Sequence, residues 1–191
     1  RMQTVHYKGT GAKMPAFDLA LDATPLDCDV TDEKITIRSA DTSLVIGKNP
    51  ATFNYYYKGQ RITGIGDRYG TSMLSYMETP EGPFVRAQLE LDVGEKVYGL
   101  GERFTNFVKN GQVVDIWNED GGTASEISYK NIPFYLTNRG YGVLVNDCGP
   151  VSFEVATEHV ARVEFSVPGE KLDYMVIGGG DPKTVVKNYT A

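Results

Sequence analysis

Val85-Arg86-Ala87-Gln88-Leu89-Glu90-Leu91-Asp92 alternates apolar and polar residues without a break. Successive side chains of an extended chain point to opposite faces, so the stretch predicts a strand with one face in a core and one in water. Val151, Phe153 and Val155 repeat the pattern against Ser152, Glu154 and Ala156, as do Val163, Phe165 and Val167 against Arg162, Glu164 and Ser166. Shorter strands are expected at 34–38, 44–46, 113–117, 134–137, 143–146 and 172–177. They are punctuated by turn chemistry such as Glu81-Gly82-Pro83, Asn138-Arg139-Gly140 and Pro168-Gly169. Phe53, Tyr55 and Tyr57 run into Lys58-Gly59 and then Arg61-Ile62-Thr63, which predicts an aromatic-faced hairpin. Many short strands with almost no helical period predict an all-β fold, an antiparallel β-sandwich.

A single helix is expected at the end. Asp181 suits the N-cap, Pro182 the first helical position, and Val185 and Tyr189 share a face. The boundaries read from the sequence are a β-sandwich over 1–180 and, over 181–191, the start of a helix or linker. The helix has no C-cap signal before Ala191, so the chain is expected to be a piece of a longer protein.

The 191 residues are enough to bury a core without a metal or disulfide. A hydrophobic content of 41% and a charged content of 23% are those of a folded domain. The net charge of −6 argues against nucleic acid or an anionic membrane as the main partner. No apolar run approaches the ~18 residues of a membrane-crossing helix. Cys28 and Cys148 lie outside any C-x-x-C motif and are expected to be two separately buried thiols. His6 and His159 have no second ligand at metal spacing and are expected on the surface or in packing. No metal or cofactor is called for. The glycine clusters at 64–66, 99–101 and 178–180 lack the strand-to-helix context of a dinucleotide site and are expected in turns and bulges. Asn188-Tyr189-Thr190 fits a glycosylation acceptor but falls in the expected helix.

Trp117-Asn118-Glu119-Asp120-Gly121-Gly122 holds the sole tryptophan, two adjacent carboxylates and a Gly-Gly pair where a strand gives way to a loop. An aromatic face beside carboxylates suits a sugar, whose hydroxyls donate to the carboxylate oxygens. The same residues also fit a plain hairpin loop with Trp117 in the core. Glu102-Arg103 reads as a structural ion pair.

Four ordered blocks carry a family resemblance. They are residues 97–104 (VYGLGERF), 117–122 (WNEDGG), 129–135 (YKNIPFY) and 137–146 (TNRGYGVLVN). Together they resemble the N-terminal β-sandwich of glycoside hydrolase family 31, and most of all its bacterial α-xylosidases. A looser likeness covers residues 5–91. The resemblance implies a galactose-mutarotase-like sandwich, with its first strands before Arg1, ahead of a (β/α)8 barrel that carries two catalytic aspartates and cleaves α-xylosides or α-glucosides with retention. No catalytic residue is then expected within this chain. The implied partners are an oligosaccharide or α-glycoside substrate, the barrel domain of the same chain, and further copies in a homo-oligomer. The implied compartment is the cytoplasm. The resemblance also makes Asp120 a substrate contact on a loop over the barrel mouth, with Trp117 and Asn118 holding the loop and Glu119 as a neighbour at a variable position. Two other readings stay open. A free-standing carbohydrate-binding module would use Trp117 and nearby tyrosines as a platform. A sugar epimerase would need an acid and a base that two distant histidines supply poorly.

Overall fold

The computed structural model describes residues 1–6, 25–66, 73–121 and 127–191. Fifteen strands among these residues form three antiparallel five-stranded sheets, followed by one helix. The first sheet has the order β1 (Met2–Val5), β15 (Lys171–Gly178), β12 (Tyr141–Val145), β11 (Phe134–Thr137), β9 (Val97–Gly99). The second runs β10 (Gln112–Ile116), β13 (Val151–Val155), β14 (Arg162–Pro168), β8 (Gly82–Glu90), β7 (Leu74–Thr79). The third is a meander of β2 (Asp27–Val30), β3 (Lys34–Ser39), β4 (Thr42–Lys48), β5 (Ala51–Tyr57) and β6 (Gln60–Ile65).

The first two sheets make the sandwich. Val85, Ala87 and Leu89 of β8, Phe153 of β13 and Val163, Phe165 and Val167 of β14 meet Tyr135, Tyr141, Val143, Leu172 and Tyr174 in one core. The long alternating strands therefore face as the sequence predicts. Their other face is drier than one open to water. Gln88, Arg162 and Glu164 are buried, each hydrogen-bonded to a neighbour on the same face. Arg162 donates to Gln88 Oε1 at 2.6 Å, Gln88 donates to Glu164, and Arg86 reaches Glu164 at 3.1 Å and Ser75 at 2.8 Å.

The third sheet leans on the sandwich along β5 and β6. The Tyr55 and Tyr174 hydroxyls are 2.9 Å apart, Thr63 Oγ1 donates to the Glu90 carbonyl at 2.8 Å, and Arg61 pairs with the Glu90 carboxylate. Helix α1 (Pro182–Thr190) closes the outer face of the first sheet. Asp181 is its N-cap, accepting from the Thr184 amide at 3.0 Å. Val185 is fully buried against Phe134, Leu144 and Met175, and Tyr189 stacks on Phe134 with centroids 4.0 Å apart. The first sheet is thus covered on both faces, which is why Val143-Leu144-Val145 reads as a continuous apolar run. Asn188 spends its side-chain amide on the Gly178 carbonyl at 2.8 Å.

Two expectations change. Cys28 and Cys148 form no disulfide, but both are exposed rather than buried. Cys28 sits on edge strand β2, whose residues are all exposed, and Cys148 lies in the β12–β13 loop, where no packed layer covers it. Gly101 lies in the bend after β9, whereas Gly99 ends β9, paired with Tyr135, Gly64 lies inside β6, paired with Asn54, and Gly178 ends β15. His6 packs by stacking on Tyr76 at 3.7 Å, and His159 is exposed. No helix among the described residues is long and apolar enough to cross a membrane. No cluster of potential metal ligands occurs among the described residues.

Candidate functional site

The site lies where the chain leaves β9 and β10. Gly99, Leu100 and Gly101 all have positive φ, at 103°, 66° and 87°, so the chain turns sharply out of β9. Such conformations favour glycine, and a side chain at Gly101 would also collide with the Lys130 carbonyl oxygen. This close approach lets Glu102 N–H donate to the Lys130 carbonyl at 2.9 Å, while Ser128 Oγ donates to the Glu102 carbonyl at 2.6 Å. The arginine that follows is a strut. Its guanidinium donates to the carbonyls of Leu100 at 3.0 Å and Asp115 at 2.7 Å, and to Asn131 Oδ1.

β10 ends at Ile116, one residue before the end predicted from sequence. The chain then projects as a short acidic finger whose base is closed by hydrogen bonds. Asn118 bridges to Ser128 in parallel fashion, and the Glu119 amide donates to the Ser128 carbonyl at 3.0 Å. Asn131 is the hub. Its side-chain amide donates to the Trp117 carbonyl (2.8 Å), Asn118 Oδ1 (3.1 Å) and the Ser128 carbonyl (2.6 Å), and its backbone amide donates to Asn118 Oδ1 at 3.0 Å.

The finger and the β9 turn enclose a recess of about 290 Å³, lined by Glu102, Phe104, Asp120, Gly121, Ile127, Ser128 and Tyr129. Asp120 is exposed on its wall. Glu102 pairs with Lys130 at 2.9 Å, and this hydrogen bond and charge hold the Lys130 ammonium above the usual lysine range. Lys130 Nζ also stands 6.0 Å from the Tyr129 ring centroid. Phe104 and Tyr129 are 61% and 66% exposed, so two aromatic faces stand open beside two carboxylates.

The structure does not bring all the sequence-predicted residues together. Trp117 is 57% exposed rather than in the core, and it lines a different recess of about 350 Å³ with Asn131, Pro133, Asp147 and Cys148. It anchors the finger through its carbonyl. Glu119 is exposed and lines neither recess. Gly122 lies outside the described residues. Sequence reasoning missed Glu102, Tyr129 and Asn131 as parts of the site. The signal was present in the positive-φ-prone Gly-Leu-Gly ahead of Glu102 and in the Tyr129-Lys130-Asn131 block.

The chain is thus an antiparallel sandwich with a helix on one outer face, presenting a pinned acidic finger beside exposed aromatic rings. Residues 1–154 match the model of the glycosyl hydrolase 31 N-terminal galactose mutarotase-like domain, and the chain belongs to that family. It is 44% identical over 163 residues to the alpha-xylosidase XylQ of Lactiplantibacillus pentosus, covering 85% of this chain and 21% of that protein. It is 40% identical to an alpha-xylosidase of Emericella nidulans, covering 99% of this chain and 27% of that protein. A GH31 alpha-xylosidase from a soil metagenome, solved with xylose, shares the fold with a TM-score of 0.78 at 16% identity, over 99% of this chain and 30% of that one. The chain thus spans about a fifth to a quarter of the length of these curated relatives.

Proposed function

We propose that this domain is the accessory sandwich of a retaining α-glycosidase acting on α-xylosides or α-glucosides, and that Asp120 reaches into a substrate pocket built mainly by a catalytic barrel of the same chain. The reading is carried by the placement of Asp120. It stands on a hydrogen-bonded finger, in a recess with open aromatic faces, in a domain whose relatives include alpha-xylosidases. Exposed apolar side chains gather around the same loops. Phe104 and Tyr129 are joined by Phe107, Trp117, Ile127 and Ile132, more than an isolated domain needs to leave in water and in keeping with a covering neighbour.

Here Asp120 positions substrate and carries no reaction step. A retaining pair stands about 5–5.5 Å apart across the anomeric carbon, and small misplacements of the sugar in that gap cost large factors in rate. A carboxylate accepting from ring hydroxyls resists such misplacement. Losing one charge-assisted hydrogen bond of ~1.5–3 kcal/mol predicts that Asp120→Ala in the full-length enzyme lowers kcat/KM on its preferred disaccharide by roughly 10- to 150-fold with an unchanged fold. Unchanged kinetics would remove Asp120 from the site. Trp117 and Glu119 belong to this proposal as supports of the finger rather than as walls of the recess. Homo-oligomeric assembly is part of the same reading and is tested by light scattering on the full-length enzyme.

The free-standing binding module is the rival reading. Trp117 favours it by standing open to solvent, but among the described residues no second aromatic side chain lines its recess. Titration with xylo- and gluco-oligosaccharides separates the two, since a module binds sugar by itself.

A further inference from the structure

We propose that Glu102 is a second sugar-contacting carboxylate of the Asp120 recess, held in place by Lys130, so that the recess grips one sugar ring from two walls. This rests on the functional reading above and extends it to a residue whose sequence context suggests only a structural pair.

The two neighbours Glu102 and Arg103 divide their roles. Arg103 is consumed by three tethers to the scaffold, to Leu100, Asp115 and Asn131. Glu102 turns away from the scaffold. It pairs with Lys130, and the side chains of this pair are 64% and 62% exposed. An ion pair this open contributes little to stability, because water screens it and both side chains lose freedom in forming it. Fold stability therefore gives no reason for the pair.

The backbone beneath Glu102 is fixed more tightly than a surface ion pair requires. Its N–H and C=O are both hydrogen-bonded to residues 128–130, and the Lys130 amide returns to Ser128 Oγ at 3.2 Å. Leu100, a non-glycine residue, accepts a φ of 66° to make this approach possible. Strained backbone persists where the surrounding structure over-determines it, and it gathers at functional sites. The result is a carboxylate on the lining of the recess, flanked by Phe104 and Tyr129.

The chemistry selects the ligand class. Carboxylates accept from pairs of hydroxyls, the Lys130 ammonium donates to a ring or hydroxyl oxygen, and aromatic faces cover the C–H side of a pyranose. Two carboxylates disfavour an anion, and the charged groups among the lining disfavour a purely apolar group. A neutral polyhydroxylated ring satisfies all three.

The test uses the full-length enzyme and an α-xylosyl-glucose disaccharide, comparing Glu102→Gln, Lys130→Met and Asp120→Ala. Glu102→Gln keeps a neutral acceptor, so kcat/KM is expected to fall about 5- to 20-fold with an unchanged unfolding midpoint. Lys130→Met is expected to give a smaller fall in the same direction. If Glu102→Gln leaves kcat/KM unchanged while Asp120→Ala lowers it, the Glu102 assignment is wrong and the Asp120 reading stands. If neither variant moves kcat/KM, both fail. If Glu102→Gln loses activity only in step with a lowered midpoint that Lys130→Met reproduces, the pair is structural and the proposal falls.

Discussion

Asn131 is where the finger is most open to test. Its two side-chain N–H bonds are shared among three acceptors, the Trp117 carbonyl, Asn118 Oδ1 and the Ser128 carbonyl, and its Oδ1 accepts from the Arg103 guanidinium. Asn131→Ala removes two neutral donor interactions of ~1 kcal/mol each and one charge-assisted acceptor of ~1.5 kcal/mol, for a total of about 3.5 kcal/mol. For a unit of this size each kcal/mol shifts the midpoint by about 2–4 °C, so the sandwich transition should fall by roughly 7–14 °C. Asn131→Asp separates the contributions. It keeps the Arg103 acceptor but replaces the donating NH2 group by one carboxylate oxygen that faces three acceptors, so it should loosen the finger while sparing the strut. Hydrogen exchange over residues 117–121 and 127–132 reads this directly, because the Glu119 amide is protected by the Ser128 carbonyl. Both variants should speed exchange there, and Asn131→Asp should leave residues 99–103 nearer to wild type. A midpoint within 1 °C of wild type for both variants, with unchanged exchange, would refute the hub.

Two further predictions concern the body of the domain. Phe153 is fully buried, edge-on to Tyr135 at 6.2 Å and beside Phe165 at 6.0 Å, so Phe153→Ala should cost about 3–5 kcal/mol, read as a lowered denaturant midpoint. Burial raises the Glu95 carboxyl above its ordinary pKa, against the opposing pull of the Asp92 amide, Tyr141, Thr137 and Arg139. The folded state then binds a proton more tightly than the unfolded one. The Glu95 contribution is therefore fully present below the unfolded carboxylate pKa and is lost as pH rises through the folded value. Glu95→Gln should flatten that decline in a pH series of unfolding midpoints, and an equally steep series in the variant would exclude Glu95 as its source.

The sandwich was legible because β8, β13 and β14 each bury one face completely, which leaves a clean period of two in the sequence. Periodicity locates strands but not their sheet, so β3 to β6 were readable as strands while their separation into a third sheet was not. β1, β2, β7 and β9 escaped notice. β1, β2, β7 and β9 all lie at sheet edges, where a partner on one side only leaves a weak pattern, and β9 has just three residues. Asp120 was legible as part of a motif. The roles of Asn131 and Glu102 were not, because they depend on contacts across the chain: Asn131 meets Arg103 28 positions away, and Ser128 meets Glu102 26 positions away. Trp117 was legible only in part. Composition suggests a buried or stacking indole, whereas its carbonyl does the anchoring.

The finger joins two properties that usually exclude each other, exposure and order. Asn118, Glu119 and Asp120 are exposed, so little apolar burial holds them. Asn118 and Glu119, the residues just before Asp120, are held instead by hydrogen bonds to Ser128 and Asn131, residues that are themselves tied to the β9 turn through Glu102 and Arg103. β9 in turn pairs with β11 in the sheet that helix α1 covers. If Asp120 contacts substrate as proposed, a carboxylate on such a finger needs little binding energy to order it. Neighbouring exposed apolar groups, Phe104, Phe107 and Tyr129, have no such tether to the finger and are suited to packing against a covering surface. Polar tethers that fix the carboxylates and apolar groups that wait for a neighbour are what a domain needs if it completes a pocket it does not itself contain.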